Sequence, residues 1–179
     1  EQGVDFLYIG RVIKQKGIEE YLEAAKQISK EYPNTTFHVL GPCDGDYEGM
    51  LAEYQNQGII QYHGMVPDTR EYLLHAHCTI HPSYYPEGIS NALLESAACG
   101  RPIITTNRSG CRETVEDGKT GFVFEQKNEE QLLMCIRKFM QMDNEARREM
   151  GIAGRKKMEK EFNRQIVIDA YMREIDGIR

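Results

Sequence analysis

One stretch decides the fold of this 179-residue chain: Cys78-Thr-Ile-His81-Pro-Ser-Tyr-Tyr-Pro-Glu-Gly-Ile-Ser-Asn-Ala-Leu-Leu-Glu-Ser-Ala-Ala-Cys-Gly100-Arg-Pro-Ile-Ile-Thr105. Its apolar runs at 78–81 and 102–105 predict two strands, and the small and apolar residues of 90–99 predict a helix between them. A strand, a helix and a second strand form a βαβ unit. Such units build a parallel sheet.

The same alternation of short apolar runs and amphipathic segments covers the residues before this stretch. Further strands are predicted at 4–9, 36–40 and 59–62, and a sixth at 122–124. Helical spacing of apolar residues predicts a helix through Ile18, Tyr21, Leu22, Ala25 and Ile28, and two more helices precede 78. The fold class is therefore α/β: a Rossmann-like doubly wound parallel sheet of about six strands, with order 3-2-1-4-5-6. A flavodoxin-like strand order is the alternative.

Residues 126–179 form a helical tail in this interpretation, because no strand pattern follows residue 124. The whole chain, 1–179, is then one domain. It opens at a strand and has no initiator Met, so we expect an N-terminal domain to precede it. Some apolar residues of the tail are expected to face outward where that domain would dock, the candidates being Phe162, Ile166, Ile168 and Tyr171.

Composition excludes several classes of protein. The 28 acidic and 22 basic residues give a net charge of −6, which provides no general attraction for nucleic acid. No stretch reaches the ~20 apolar residues of a membrane span. Five cysteines without a CxxC pair indicate free, buried thiols and hence a cytoplasmic protein.

Two loops carry the residues suited to binding. In a doubly wound sheet the ligand crevice lies at the carboxyl ends of the strands where the winding reverses, which here means the loops after strands one and four. The first of these loops contains Gly10, Arg11 and Lys16, and its two cations suit a diphosphate. A solvated basic loop is the alternative, because this spacing is neither a P-loop nor a GxGxxG motif.

The loop after strand four leads into a helix. Gly88 lets a ligand approach the backbone, and the N–H groups of Ile89, Ser90, Asn91 and Ala92 are expected to be free to bind a phosphate. Glu95, one turn beyond Asn91, can accept hydrogen bonds from a ribose diol. Glu87 precedes the helix and is placed to meet the hydroxyls of a sugar beyond the diphosphate.

Glu87 and Glu95, separated by seven residues in EGISNALLESAACGRPIIT, resemble the EX7E motif of the retaining glycosyltransferase family four, which has the GT-B fold. The Gly10–Gly17 loop resembles that family's GRxxxxKG loop. Gly41 matches its glycine-led second loop, and Asp117, Gly118 and Gly121 match its DGxxG segment. The Gly41 loop reads Gly-Pro-Cys-Asp-Gly where a second early glycine is common, and Ile89-Ser90 stands where Phe-Gly is frequent.

The resemblance implies a C-terminal domain that binds the nucleotide sugar. Arg11, Lys16 and Glu87 would be catalytic. The donor would bind at Gly10, Gly41, Gly88, Ile89, Ser90, Asn91 and Glu95. No metal and no other cofactor is expected. The partners would be the N-terminal domain of the same polypeptide and a glycan or lipid-linked acceptor, with peripheral membrane contact of the full-length protein. A nucleotide-sugar epimerase of the same architecture and a non-catalytic nucleotide-binding module are the alternatives.

Three further clusters of residues have a structural and a functional interpretation. His75, His77, Cys78 and His81 suggest a metal site, but strand alternation separates Cys78 from His77 and His81, which favours structural roles. Tyr84 and Tyr85 are interpreted as packing and loop residues rather than as a stacking platform. The basic cluster 155–160 is interpreted as a solvated helix face, with contact to an anionic membrane as the alternative.

Overall fold

The computed structural model describes residues 3–86 and 88–177. Six parallel strands form one sheet with the order β3-β2-β1-β4-β5-β6. The strands are β1 (Val4–Ile9), β2 (Thr35–Leu40), β3 (Ile60–Gly64), β4 (Cys78–His81), β5 (Ile103–Thr106) and β6 (Gly121–Phe124). The predicted Rossmann-like order is confirmed, and the flavodoxin-like alternative is wrong.

Seven α-helices in the described part of the chain connect and follow the strands. They are α1 (Ile18–Glu31), α2 (Glu48–Asn56), α3 (Arg70–His75), α4 (Asn91–Ala98), α5 (Glu129–Gln141), α6 (Asn144–Glu161) and α7 (Arg164–Gly177). The predicted helical tail corresponds to α5, α6 and α7. Among the described residues, no helix is both long and apolar enough to cross a membrane.

The larger core lies between the sheet and the helices α1, α2 and α5. The Phe6 and Phe37 rings stack at 5.0 Å on neighbouring strands, and Phe139 of α5 meets Phe6 edge-on at 5.8 Å. Phe139 is fully buried, which contributes about 1.5–3 kcal/mol. The apolar face of α5, which also carries Leu132 and Ile136, is therefore the face that packs on the sheet.

On the opposite face, small residues let α4 and α6 approach closely. A Cβ on Gly151 of α6 would lie 2.1 Å from the Gly100 carbonyl oxygen, at the end of α4. Phe162, at the end of α6, is half-buried against the cluster around Leu93 and Met158, so the outward position considered for it is wrong. The apolar side chains of α7 are exposed, namely Ile166, Val167, Ile168, Tyr171, Met172 and Ile175.

All five cysteines are free thiols, as predicted, and three of them are buried. Burial raises the pKa of the Cys135 thiol to about 11 and that of Cys78 still higher. The histidines near Cys78 do not form a cluster. Nδ1 of His77 accepts a hydrogen bond from the Asp5 N–H at 3.1 Å, whereas Nε2 of His81 lies 3.4 Å from the Ser90 hydroxyl. No group of metal-ligating side chains suited to an ion is present in 3–86 and 88–177.

A histidine pair that the sequence analysis did not single out lies beneath α3. Nδ1 of His38 and Nε2 of His63 are 3.0 Å apart, and the rings stack at 5.2 Å. Burial lowers the pKa of both imidazoles, and the proximity of His63 lowers that of His38 further, against a small opposing effect of Asp5. His38 borders a cavity of about 740 Å³ that is also lined by Tyr72 of α3, and the Tyr72 ring lies 4.7 Å from that of His63.

The histidine pair predicts a loss of stability in mild acid. Because its folded-state pKa is lowered, the pair binds fewer protons than the unfolded chain, so the free energy of unfolding should fall as pH drops below 6.5. We expect His63→Gln to reduce the decrease in Tm between about pH 7.5 and about pH 5.5. The exposed His75, changed to Gln, serves as the control. Thermal unfolding across this pH range is the measurement, and equal decreases for wild type and His63→Gln would contradict the prediction.

Candidate active site

Three loops meet at the carboxyl edge of the sheet. We call residues 10–17 the first loop, 41–47 the second loop and 82–90 the fourth loop, after the strands that precede them. The Val12 N–H in the first loop donates to the Pro42 carbonyl of the second loop at 2.8 Å. The Tyr84 N–H in the fourth loop donates to the Gln15 carbonyl at 2.9 Å. Main-chain hydrogen bonds thus hold the first loop between the other two.

The two predicted cations converge on one aromatic ring of the fourth loop. The Arg11 guanidinium carbon lies 5.3 Å and the Lys16 ammonium nitrogen 5.1 Å from the centre of the Tyr85 ring. Arg11 is exposed, whereas Lys16 is only 8% exposed. Each contact is a cation–π interaction, and the ring offsets part of the repulsion between two like charges. The sheet therefore brings together Arg11 and Lys16 as predicted.

Hydrogen bonds fix the backbone around this ring. The Tyr8 hydroxyl donates to the Arg11 carbonyl at 2.8 Å, and burial raises the pKa of Tyr8, so the hydroxyl stays protonated. The Arg108 Nε donates to the Tyr85 carbonyl at 2.9 Å, which ties the fourth loop to the segment after β5. The backbone at Arg11 is thus tied to β1, and the backbone at Tyr85 is tied to the segment that follows β5.

Glycines allow the loops to approach one another. Gly41 has φ +140°, and a Cβ there would lie 1.8 Å from the Gly10 carbonyl oxygen. Gly17 has φ +75°, and a Cβ there would lie 2.3 Å from the Pro82 carbonyl oxygen. Gly17 and Gly41 are consequently needed for contact between loops, and for Gly41 this is a structural requirement on a residue that was predicted to bind a ligand.

The fourth loop carries the residues predicted to meet the ligand beyond the diphosphate. Glu87 lies outside the described residues. Gly88 is exposed, and a Cβ there would meet nothing within 4 Å, so space is open in front of it. Ile89 is also exposed, at 40%. A ligand thus has access to the backbone that precedes α4.

At the start of α4 one predicted amide is already occupied. The Ser90 N–H donates to the Gly110 carbonyl at 2.9 Å, so the prediction that every amide from Ile89 to Ala92 is free is wrong for Ser90. Ser90 is buried and precedes the first helical residue, Asn91, which is exposed. The hydrogen bond from Ser90 to Gly110 ties the start of α4 to the segment after β5.

Glu95 lies one turn after Asn91 and is exposed. Its Oε2 accepts a hydrogen bond from the Thr69 hydroxyl at 3.3 Å, across from the segment before α3. This contact leaves the other carboxylate oxygen for a ligand. Thr69 was not predicted, because nothing in its local sequence indicates that the segment before α3 reaches α4.

Tyr85 is the residue whose role the sequence analysis missed. It was interpreted as a packing and loop residue, but its ring orders both cations. Sequence alone relates residue 85 to residues 11 and 16 only through the strand order, which brings β1 and β4 together. Tyr84 differs, because its ring contacts Lys127 at 4.5 Å rather than either cation.

The Asp-Gly-x-x-Gly segment forms a turn that starts β6. Oδ1 of Asp117 accepts from the Val123 N–H at 2.9 Å, and the Gly118 N–H donates to the Gly121 carbonyl at 2.8 Å. A Cβ on Gly121 would lie 2.0 Å from the Ile103 carbonyl oxygen on β5. In this structure the segment serves strand pairing rather than the crevice.

A doubly wound parallel sheet with a cationic loop after its first strand and a helix that begins after its fourth strand defines a Rossmann-like domain. The sequence model of the family described as "Glycosyl transferases group 1" matches residues 1–157, and the chain belongs to this family.

A curated relative agrees with the family, and solved structures agree with the fold. The chain is 30% identical over 164 residues to the capsular polysaccharide biosynthesis glycosyltransferase CapM of Staphylococcus aureus, covering 89% of this chain but 42% of CapM. Its fold matches the C-terminal domain of LpcC, a group 1 glycosyl transferase of Francisella tularensis, with TM-score 0.78 and 22% identity, over 91% of this chain and 88% of that one. Anabaena HepE, solved with UDP-glucose, matches with TM-score 0.82 and 17% identity, over 99% of this chain and 49% of HepE.

Proposed function

We propose that the chain is the C-terminal, donor-binding domain of a retaining glycosyltransferase of family four. It would help to move a sugar from a nucleoside-diphosphate sugar to a glycan or lipid-linked acceptor. The observation that carries the proposal is the convergence of Arg11 and Lys16 on the Tyr85 ring, beside the N-terminus of α4. Two cations and one helix dipole then face the same crevice.

In this proposal the diphosphate of the donor binds to Arg11, Lys16 and the exposed amides before α4. An arginine forks two phosphate oxygens, and a lysine adds a point charge. When the bond between sugar and phosphate breaks, negative charge grows on the diphosphate, and these groups stabilise it. The proposed reaction therefore uses no metal ion and no other cofactor.

The two glutamates have separate roles in the proposal. Glu95 would accept hydrogen bonds from the ribose, since one oxygen is held by Thr69 and the side chain is exposed beside the phosphate site. Glu87, the first glutamate of the EX7E spacing, would hold the hydroxyls of the donor sugar. Retention would occur by attack on the face from which the diphosphate leaves, so Glu87 is not assigned as a covalent nucleophile.

The acceptor would be held by an N-terminal domain in a longer protein. The chain spans less than half the length of the curated relatives that it matches, and its share of CapM is 42%. The exposed apolar side chains of α7 would then contact the rest of that protein. A cytoplasmic enzyme with lipid-linked acceptors would also touch a membrane surface peripherally.

Titration calorimetry with UDP, GDP and ADP, followed by a transfer assay, tests the proposal. We expect the 179-residue chain to bind one of these nucleotides best but to transfer no sugar, whereas the longer protein transfers it. Bringing acceptor and donor together in one cleft is worth several orders of magnitude in effective concentration.

Three other outcomes of these assays would count against the proposal. Conversion of the labelled donor by the longer protein without acceptor would identify an epimerase. Nucleotide binding without any conversion would identify a binding module. Transfer by the 179-residue chain at the rate of the longer protein would contradict the two-domain proposal.

A further inference from the structure

A cavity of about 540 Å³ lies at the amino edge of the sheet, opposite the candidate active site. His77 and Pro102, which border it, immediately precede β4 and β5. All strands are parallel, so their amino ends share one edge and the crevice described above lies at the other. Four arginines and no carboxylate line the cavity, the arginines being Arg101, Arg147, Arg148 and Arg155. We call these four residues the arginine cavity.

Two of the guanidinium groups are held in place by helix ends. Arg101 donates from Nε to the Cys99 carbonyl at 3.1 Å and from a terminal nitrogen to the Ala76 carbonyl at 2.9 Å. Arg147 donates to the Phe139 and Met140 carbonyls at 3.1 and 2.8 Å. Carbonyl oxygens carry no net charge, so both groups keep their positive charge. Each guanidinium has five N–H donors and uses two here, which leaves three for a ligand.

The other two arginines extend from one face of α6. Arg148 and Arg155 are seven residues apart, which is close to two helical turns, and both are exposed. Arg155 pairs with Glu159 at 2.9 Å, but both side chains are 61% exposed, and such surface pairs are weak. In the described part of the chain, Arg101, Arg147 and Arg148 form no ion pair with a carboxylate.

This concentration of positive charge is unusual for a chain of net charge −6. The neighbouring carboxylates are Asp143 beside Arg147, Asp5 beside His77, and Glu159. Burial lowers the pKa of Arg147 against the opposing effects of Cys78 and Asp143, and no carboxylate of the described residues forms an ion pair with its guanidinium to give compensation of its charge. An anion bound between the fixed and the exposed guanidinium groups would supply that compensation.

We propose that the arginine cavity is a second anion site, which binds a phosphorylated ligand carrying at least two negative charges. Its bidentate donors suit phosphate oxygens, and its position on the opposite edge makes it separate from the donor crevice. The phosphate belongs either to a lipid headgroup at a membrane surface or to a free phosphorylated compound. This inference holds whether or not the domain binds a nucleotide sugar.

NMR spectra of the isotope-labelled chain during titration with pyrophosphate test the proposal. We expect the amide signals of Gly100, Gly151 and Ile152 to shift and to reach saturation. The dissociation constant obtained from these signals should not depend on whether the signals of the first loop also shift. The double variant Arg148→Gln/Arg155→Gln removes both exposed cations and leaves the helix-end hydrogen bonds in place. This double variant should lower the affinity for pyrophosphate at least about tenfold, as expected for the loss of two charge-assisted contacts.

A matched control removes equal charge from the same helix. Lys156 and Lys160 lie on α6 at the border of another cavity, beside Glu149 and Glu161, and Lys156→Gln/Lys160→Gln should leave the pyrophosphate affinity unchanged. Equal weakening in this control would show a general charge effect and overturn the site. An absence of saturable shifts at Gly100, Gly151 and Ile152 would also overturn it.

Vesicles distinguish the two sources of phosphate. Co-sedimentation is measured with phosphatidylcholine vesicles that contain phosphatidylglycerol and with phosphatidylcholine alone. A lipid headgroup is assigned if the chain binds only to the anionic vesicles, if Arg148→Gln/Arg155→Gln abolishes this binding, and if the lysine control keeps it. Pyrophosphate binding without vesicle binding assigns a free phosphorylated compound.

Discussion

Replacing Gly41 with alanine is expected to destabilise the domain by about 3 kcal/mol or more and to abolish nucleotide binding. The added Cβ would lie 1.8 Å from the Gly10 carbonyl oxygen and 2.6 Å from its carbon. Both are backbone atoms, so no side chain can rotate away, and the ends of β1 and β2 must separate. This movement would displace the first loop together with Arg11.

Thermal unfolding measures the effect of Gly41→Ala, because each kcal/mol corresponds to about 2–4 °C in Tm for a domain of this size. Gly45→Ala is the matched control. Gly45 lies in the second loop and also has a positive φ, +82°, but a Cβ there would meet nothing within 4 Å. Its cost should be limited to about 1–2 kcal/mol for the backbone angle. Equal losses for the two variants would mean that the loop contact has no role.

Arg11→Ala is expected to weaken nucleoside diphosphate binding about 10- to 150-fold, which corresponds to ~1.5–3 kcal/mol for a hydrogen bond to a charged group. The fold should be little affected, because Arg11 is exposed and its described side-chain contact is with the Tyr85 ring. Binding of the corresponding nucleoside should not change, since the lost contacts are to phosphate.

Lys14→Ala is the matched control for Arg11→Ala in calorimetry. Lys14 is a cation of the same loop, but its side chain is 64% exposed and its ammonium lies 3.5 Å from Glu19 rather than over Tyr85. Its loss should change the affinity by less than about threefold. If Arg11→Ala binds the diphosphate as tightly as the wild type, the assigned phosphate site is wrong.

The strands and the helices that cover the larger core were predictable because their signals are local. The periodic apolar residues of α1 and α5 became the faces that pack on the sheet, and short apolar runs marked the six strands to within two residues. The position of Arg11 and Lys16 beside the fourth loop was predictable in outline, because the carboxyl ends of parallel strands share one edge.

Other features depend on contacts between distant residues. The role of Tyr85 arises where the first and fourth loops meet, and the hydrogen bond from Ser90 to Gly110 joins segments on either side of β5. The pair formed by His38 and His63 similarly results from the register of β2 and β3. No local pattern marks these residues, because each needs a partner that only chain folding supplies.

By itself, the sequence determined the class of the fold, and it predicted a crevice at the carboxyl edge of the sheet and two cations for a phosphate, since periodicity, glycines and charge act locally. Only the tertiary structure decided which aromatic ring orders those cations, which amide before α4 is already occupied and where the arginine cavity forms. Arg101 follows α4 and Arg147 lies in α6, and they meet at one cavity, each held by carbonyl groups at different helix ends. Such a meeting depends on packing geometry, which the order of residues along the chain does not display.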